Sequence, residues 1–412
     1  MSAATTPPYR FTGVARHATP LLDFSGVDRQ EEKLMTDPRQ VLAVSDADLD
    51  DLRARLRATR WAKPWPVDAW EAGTDGGELR RLVDTWASTY DWREHEAAIN
   101  ALPSRFADVG GTSVHYLRFD AERDGAFPLL LANGWPSSFL ELTGLAERLS
   151  TPSRYGGSAQ DGFTVIVASL PGFGLSPQRP TLGGPLLTHD IWHRLMHDVL
   201  GFERYGAHGS DIGAGECSRL AQAYPESVAG VHLLDVADPP SVDPAGLTEP
   251  ERVYLDAEKA WFDAERGYSH QQETRPLTLA QGLSDSPSGL LAWILEKYRG
   301  WSDCDGDVSV RFDDDFLLTQ ASLYWFTDTI STSLRPYYER HHGFSPRVTR
   351  VEVPTAVAVF PADLGGRLPR GWIERTHNLA RYTTMPRGGH FAAHEEPALL
   401  AEDISAFFHT LT

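Results

Sequence analysis

The sequence is poor in cysteine, in positive charge and in long apolar runs. Only two of its 412 residues are cysteine, Cys217 and Cys304. Two thiols cannot build a disulfide framework or a four-thiolate metal site, so both read as reduced thiols of a cytoplasmic protein. Lys and Arg number 38 against 57 Asp and Glu, a formal net charge of −19. Nucleic acid and anionic membrane surfaces carry the same sign, which argues against either as a partner. The opening stretch MSAATTPPYRFTGVARHATPLL holds no apolar segment of the length a signal peptide or membrane anchor needs. Internal repeats and low-complexity tracts are absent too. What remains is an ordinary globular composition, 41% hydrophobic and 23% charged, in a chain long enough for one large core or roughly two to three domain-sized units.

Residues 1–40 are polar, without a period, and read as a loosely held arm. Helical periodicity begins at SDADLDDLRARLRATRW, with Ser45 as the cap, and returns in LRRLVDTWASTYDWREHEAAINAL. Five of the 12 tryptophans fall between Trp61 and Trp92, so residues 1–105 are expected to pack onto something larger that buries their indoles. From about Phe106 the runs SVHYLRF, PLLLANG, FTVIVASLPG, RYGAHG and VAGVHLLD alternate with helical stretches such as HDIWHRLMHDVLG and GECSRLAQAYPESV. That alternation implies an α/β fold with a mostly parallel sheet, in which chemistry sits beyond the carboxyl ends of the strands. Between about residues 239 and 349 the strand signal gives way to aromatic helical segments, read as a cap inserted late in the core. The run PTAVAVFP resumes the core, giving expected units of 1–105, 106–238, 239–349 and 350–412.

The stretch GAHGSDIGAG carries the sharpest chemical signal. A nucleophile elbow, the strand-to-helix turn that presents a reactive side chain, admits only small residues two before and two after it. Centred on Ser210, those positions would be His208 and Ile212; centred on Asp211, they are Gly209 and Gly213. Sterics therefore select Asp211. A carboxylate nucleophile attacks saturated carbon, as in an epoxide or alkyl halide, and leaves an ester on the enzyme. Hydrolysis of that ester needs a general base and an oxyanion hole. His390, in MPRGGHFAAHEEP, suits the base because it follows the last strand candidate. Asp363, just past PTAVAVFP, is preferred as the orienting acid, with Asp235 at the end of VAGVHLLD in reserve. The backbone N–H groups of Trp135, in LLLANGWPSS, and of Ile212 are the expected oxyanion donors.

At these residues the chain resembles the epoxide hydrolases of the microsomal type, from about Val41 to Thr412. NGWPSSFLE, SLPGFGLS, GSDIGAG, TRPLTLAQGLSDSPSGLLAWILEKYRGWSD, LYWFTDTISTSLRPYYE and MPRGGHFAAHEEP occur in that family's order. The resemblance implies an α/β-hydrolase core, a helical cap and an N-terminal extension wrapping around both. It implies Asp211 as nucleophile, His390 as base and Asp363 as acid. Two cap tyrosines that hold and protonate the epoxide oxygen would be Tyr268 and Tyr337, with Tyr338 one place away. Asn133 stands where the family's loop usually has His, and Asp363 where this branch often has Glu. No cofactor or metal is implied. The expected substrates are water and a bulky apolar epoxide, with room for a homodimer.

Other signals are weaker. His189, His193 and His197 share a helical face at a spacing that could bind metal, yet a partly exposed helix in a chain with 15 His explains them better. DCDGDVSVRFDDDF has its glycine misplaced for a calcium loop, and GFG at Gly172 to Gly174 is no dinucleotide fingerprint. Two rivals remain: a haloalkane dehalogenase, for which Ile212 offers no side-chain halide donor, and a ligand-binding homologue without turnover.

Overall fold

The strands of the chain are β1 (Ser104–Val109), β2 (Thr112–Phe119), β3 (Pro128–Ala132), β4 (Thr164–Ala168), β5 (Tyr205–Gly209), β6 (Val228–Leu233), β7 (Val351–Val359) and β8 (His377–Thr384). They are seen in a computed structural model that describes residues 40–363 and 368–412. The arm expected over residues 1–40 lies, but for its last residue, outside that part. Within Arg39–Thr412, one compact unit, the strands form a single sheet in the order β1-β2-β4-β3-β5-β6-β7-β8. β2 pairs antiparallel with β1 and β4, and the remaining pairs are parallel. β3, β5 and β6 are buried along their whole length. A strand covered on both faces has no solvent side, which explains why these runs read as continuous rather than alternating.

β1 and β8, at the two edges, were not among the expected strands. HNLARYTT and SRFADV are each covered only in part. Edge strands keep polar residues facing water and so carry little hydrophobic signal. His390 consequently follows β8, rather than the run that became β7.

The helices preceding the sheet are α1 (Asp46–Arg57), α2 (Gly76–Ser88) and α3 (Trp92–Ala101). Ser45 caps α1 by accepting the Asp48 N–H. The second expected helical region is two helices, because Asp91 accepts the Arg93 N–H and starts α3 afresh. Around the sheet lie α4 (Thr143–Ser150), α5 (Thr188–Arg194), which runs on as a π-turn over Leu195–Val199, and α6 (Asp211–Ala223). Between β6 and β7 come α7 (Glu249–Glu265), α8 (Gly267–Thr274), α9 (Pro276–Asp285), α10 (Pro287–Trp301), α11 (Asp314–Phe326), α12 (Ile330–Ser333) and α13 (Arg335–His341). α14 (Arg370–Glu374), α15 (Ala392–Glu395) and α16 (Pro397–Phe408) complete the core.

The N-terminal helices dock on the cap helices. The Trp86 indole N–H donates to Ser322 Oγ at 2.9 Å, Tyr90 Oη meets Thr319 Oγ1 at 2.9 Å, and Arg81 pairs with Asp314. Burial of the five indoles there is uneven. Trp86 and Trp92 are buried, whereas Trp65 is 73% exposed. Trp61 and Trp70 instead lie under the guanidinium groups of Arg80 and Arg299, at 4.9 and 4.6 Å. An indole face covered by a cation needs no core around it. Among the described residues, no helix is long and apolar enough to cross a membrane.

Candidate active site

Every carboxyl end of the central strands contributes to one place. β3 leads to β4 on one side and lies against β5 on the other, so the loops after β3 and β5 part above the sheet and open the crevice in which such folds bind ligands. Trp135 follows β3, Asp211 follows β5, Asp235 follows β6, Asp363 follows β7 and His390 follows β8.

β5 turns into α6 through Ser210, extended at φ −123°, and Asp211, left-handed at φ +50°. A non-glycine residue held there costs about 1–3 kcal/mol, strain that surrounding packing must offset. The turn is tight because backbone touches backbone. A Cβ on Gly209 would lie 2.5 Å from the Gly213 oxygen, and one on Gly213 would lie 2.5 Å from the Ala132 oxygen. Gly134 passes so close that a Cβ would sit 1.9 Å from Asp211 Oδ1. The next residue, Trp135, donates its backbone N–H to that same oxygen at 2.9 Å. Ile212, the other expected donor, makes no hydrogen bond to either carboxylate oxygen. Asn133 is buried and donates Nδ2–H to the Gly134 oxygen at 3.1 Å, stiffening the loop.

His390 enters from the opposite side. Its backbone N–H donates to the Trp301 oxygen at the end of α10, at 2.8 Å. Its Nδ1 lies 2.8 Å from Asp363 Oδ1, and Nε2 lies 3.6 Å from Asp211 Oδ2, longer than a hydrogen bond. The structure thus brings Asp363, not Asp235, to the imidazole; Asp235 lines the cavity wall and, among the described residues, accepts only its neighbour's N–H, from Val236, at 2.7 Å. Burial opposes a charge on His390, but the Asp363 carboxylate, its hydrogen bond, Asp211 and Glu141 outweigh it and push the imidazole up to about 9.

Tyr268 on α8 and Tyr337 on α13 are both buried, with ring centroids 6.1 Å apart. Tyr268 stacks on the Trp135 indole at 5.7 Å, and Tyr337 meets its edge at 6.0 Å. Burial raises both phenols above their ordinary value and the Asp211 charge raises them further, so both are protonated at neutral pH. Tyr338 turns away and packs on His342 at 4.1 Å. All of Asp211, Asp363, His390, Tyr268 and Tyr337 line one cavity of about 970 Å³.

Three neighbours had no assigned role in the sequence. Trp301 packs against both His390 and Tyr268, at 5.2 and 5.1 Å. Lys297, 3% exposed, holds Nζ 4.6 Å over the Tyr268 ring. Glu141, 3% exposed and in no ion pair among the described residues, is pushed up to about 7 by burial and feels His390 and Asp211. Its only sequence signal was a carboxylate inside the apolar stretch FLEL. The three histidines of the α5 region share no common point: His193 and His197 stack at 5.1 Å, but His189 faces Glu216 at 3.4 Å, His193 meets Tyr205 Oη at 3.1 Å and His197 meets Asp198 at 2.8 Å. Asp303 in the calcium-like stretch pairs with Arg311 at 3.0 Å.

Comparison with known proteins follows the same lines. The sequence profile described as "Epoxide hydrolase N terminus" matches residues 38–142, and "alpha/beta hydrolase fold" matches residues 128–286. The chain is 33% identical to Epoxide hydrolase 1 of Sus scrofa, over 89% of this chain and 87% of that protein. It is 33% identical to Juvenile hormone epoxide hydrolase 2 of Ctenocephalides felis, over 88% and 83%. The solved structure of Aspergillus niger epoxide hydrolase superposes with a TM-score of 0.78 at 30% identity, covering 90% of this chain and 95% of that one. Juvenile hormone epoxide hydrolase from Bombyx mori gives a TM-score of 0.79 at 28% identity, over 90% and 93%. The chain belongs to the epoxide hydrolase family and carries its α/β-hydrolase fold.

Proposed function

We propose that the chain opens epoxides to vicinal diols through an ester on Asp211. The single observation that carries this is the set of groups meeting at that carboxylate: the Trp135 N–H on Oδ1, His390 Nε2 facing Oδ2, and two neutral phenols on the same cavity. The phenols of Tyr268 and Tyr337 hold the epoxide oxygen. Asp211 attacks a ring carbon, the C–O bond breaks, and one phenol gives its proton to the leaving oxygen. Charge leaves Asp211 at this step, removing one of the anions that hold the His390 proton.

His390 gives its resting proton to solvent, to be regained when the Asp211 carboxylate is restored, and the neutral imidazole takes a proton from water, which attacks the ester carbonyl carbon. The resulting oxyanion lies toward the Trp135 N–H, with the Ile212 N–H as the second donor once the carboxylate has become tetrahedral. Collapse releases the second hydroxyl, protonated by His390. The new Asp211 carboxylic acid returns its proton to the tyrosinate, so one water supplies both protons that were spent. The apolar wall near Asp211, from Leu170, Ile212, Leu234 and Phe360, together with the cavity volume, suits a bulky epoxide with an apolar body.

A single turnover in ¹⁸O-water with enzyme in excess tests the mechanism. Unlabelled diol and a heavier Asp211 peptide are expected, because water oxygen enters the carboxylate first. Label in the diol from that first turnover would exclude the ester. Halide released from chloroalkanes, with no diol from any epoxide, would reassign the chain to dehalogenation.

A further inference from the structure

Resting on the epoxide reading, we propose that the cavity holds a cation subsite formed by Asp235, Asp238, Glu258 and Tyr254, and that preferred substrates carry a protonated amine beyond an apolar body.

The argument starts from the charges that line the cavity. Its arginines are mostly matched inside the protein. Arg179 pairs with Glu339 at 2.5 Å, Arg219 with Glu216 at 2.8 Å, and Arg266 and Arg340 share Glu273 at 3.0 and 3.7 Å. Arg347, without a carboxylate partner among the described residues, is exposed. The acids of the other wall are not matched. Asp235 and Asp238, just past β6, and Glu258 on α7 all line the cavity, and among the described residues none has a Lys, Arg or His partner. Arg340, already shared with Glu273, acts on Asp238 only through space, and three carboxylates in one enclosure with no ion-paired cation are costly. A ligand bringing the missing positive charge is therefore favoured at this wall over a neutral one.

A second observation points the same way. Tyr254, only 6% exposed, lines the same wall, yet its phenol makes no hydrogen bond among the described residues. A phenol that opens on the cavity with no partner in the protein is an open hydrogen-bonding position. The charges it feels most are those of Asp235, Glu258 and Asp238, which places it among the three acids. Trp261 and Phe262 lie on the same cavity, and aromatic rings beside carboxylates are the surroundings an alkylammonium group favours. Burial pushes the carboxyls of Asp235 and Glu258 up to about 7, and neighbouring acids add to it. A bound ammonium reverses that shift. The net charge of −19 also draws cations toward the molecule.

The test uses the full chain and matched substrates. Para-substituted styrene oxides bearing dimethylaminomethyl, dimethylaminoethyl or dimethylaminopropyl groups are compared with their carbon isosteres, in which CH replaces NH⁺. The assay runs at about pH 7.5, where the amines are protonated. For at least one spacer, kcat/KM for the amine should exceed that of its isostere by about tenfold. Glu258→Gln and Asp238→Asn should each bring that ratio toward one; a ratio within one enzyme cancels any general loss of activity. Ratios at or below one for every spacer, with the isosteres turned over, would overturn the subsite and leave the proposed function intact. Absence of turnover of all substrates would instead overturn the epoxide reading. Calorimetry with benzyltrimethylammonium then decides the subsite alone: binding that E258Q weakens supports it, and no binding refutes it.

Discussion

Replacing Asp363 with Asn probes the electrostatics of the site while keeping its shape. The side chain stays isosteric, and its oxygen can still accept the His390 Nδ1–H now made at 2.8 Å. Only the charge goes. His390 is raised from 6.5 to about 9 against the opposing effect of burial, and Asp363 supplies the largest contributions in that direction. At 1.36 kcal/mol per pH unit, that rise is worth about 3 kcal/mol. A raised imidazole stabilises the fold fully below its unfolded value near 6.5, and that contribution is lost as pH rises through about 9. The stability gap between wild type and D363N, from urea unfolding, should therefore be widest at about pH 6 and shrink by up to about 3 kcal/mol at about pH 10. In stopped-flow tryptophan fluorescence with excess styrene oxide, ester formation should persist. Ester hydrolysis should slow by about 10²-fold, the lower end of what general-base catalysis supplies. A gap that does not change with pH, or a hydrolytic phase as fast as wild type, would refute Asp363 as the partner of His390.

Three further outcomes are expected. Tyr268→Phe and Tyr337→Phe keep the rings on Trp135 but remove one donor each, so each should slow ester formation by about 10²-fold in the pre-steady state, and the double variant further. Gly213→Val must push against the Ala132 oxygen, where even a Cβ would lie 2.5 Å away; thermal unfolding should register a loss of about 1–3 kcal/mol or more, together with loss of turnover. Burial holds Glu141 above its ordinary value, up to about 7, so its charged form burdens the fold as pH rises from about 4.5 to 7. Glu141→Gln should gain stability relative to wild type over that interval, by about 3 kcal/mol at most, measured by urea unfolding at about pH 4 and pH 8.

The sequence alone determined whatever depends on short-range sterics and on burial along one element. Gly209 and Gly213 singled out Asp211 because the elbow's backbone crowds its own second neighbours, and that constraint is local. The runs PLLLA, YGAHG and VAGVHL announced themselves because burial on both faces leaves no water-facing position, and the histidines inside two of them, His208 and His232, meet each other at 3.0 Å. Tertiary structure decided whatever depends on which side of a distant element faces the site. Asp363 and Asp235 both end strands beside one cavity, and only the path of the β8–His390 loop sets the imidazole against the first. Tyr337 and Tyr338 are equivalent in sequence until the pitch of α13 turns one inward and the other toward His342. The edge strands β1 and β8 stayed illegible because water, not core, covers part of each. Trp61 and Trp65 looked like core and are surface, since Trp86 and Trp92 already fill the contact with the cap. The charge balance of the cavity lay furthest from view, because part of the pairing joins residues distant in sequence, as in Arg179 and Glu339. Which carboxylates remain without a partner is a property of the folded enclosure alone.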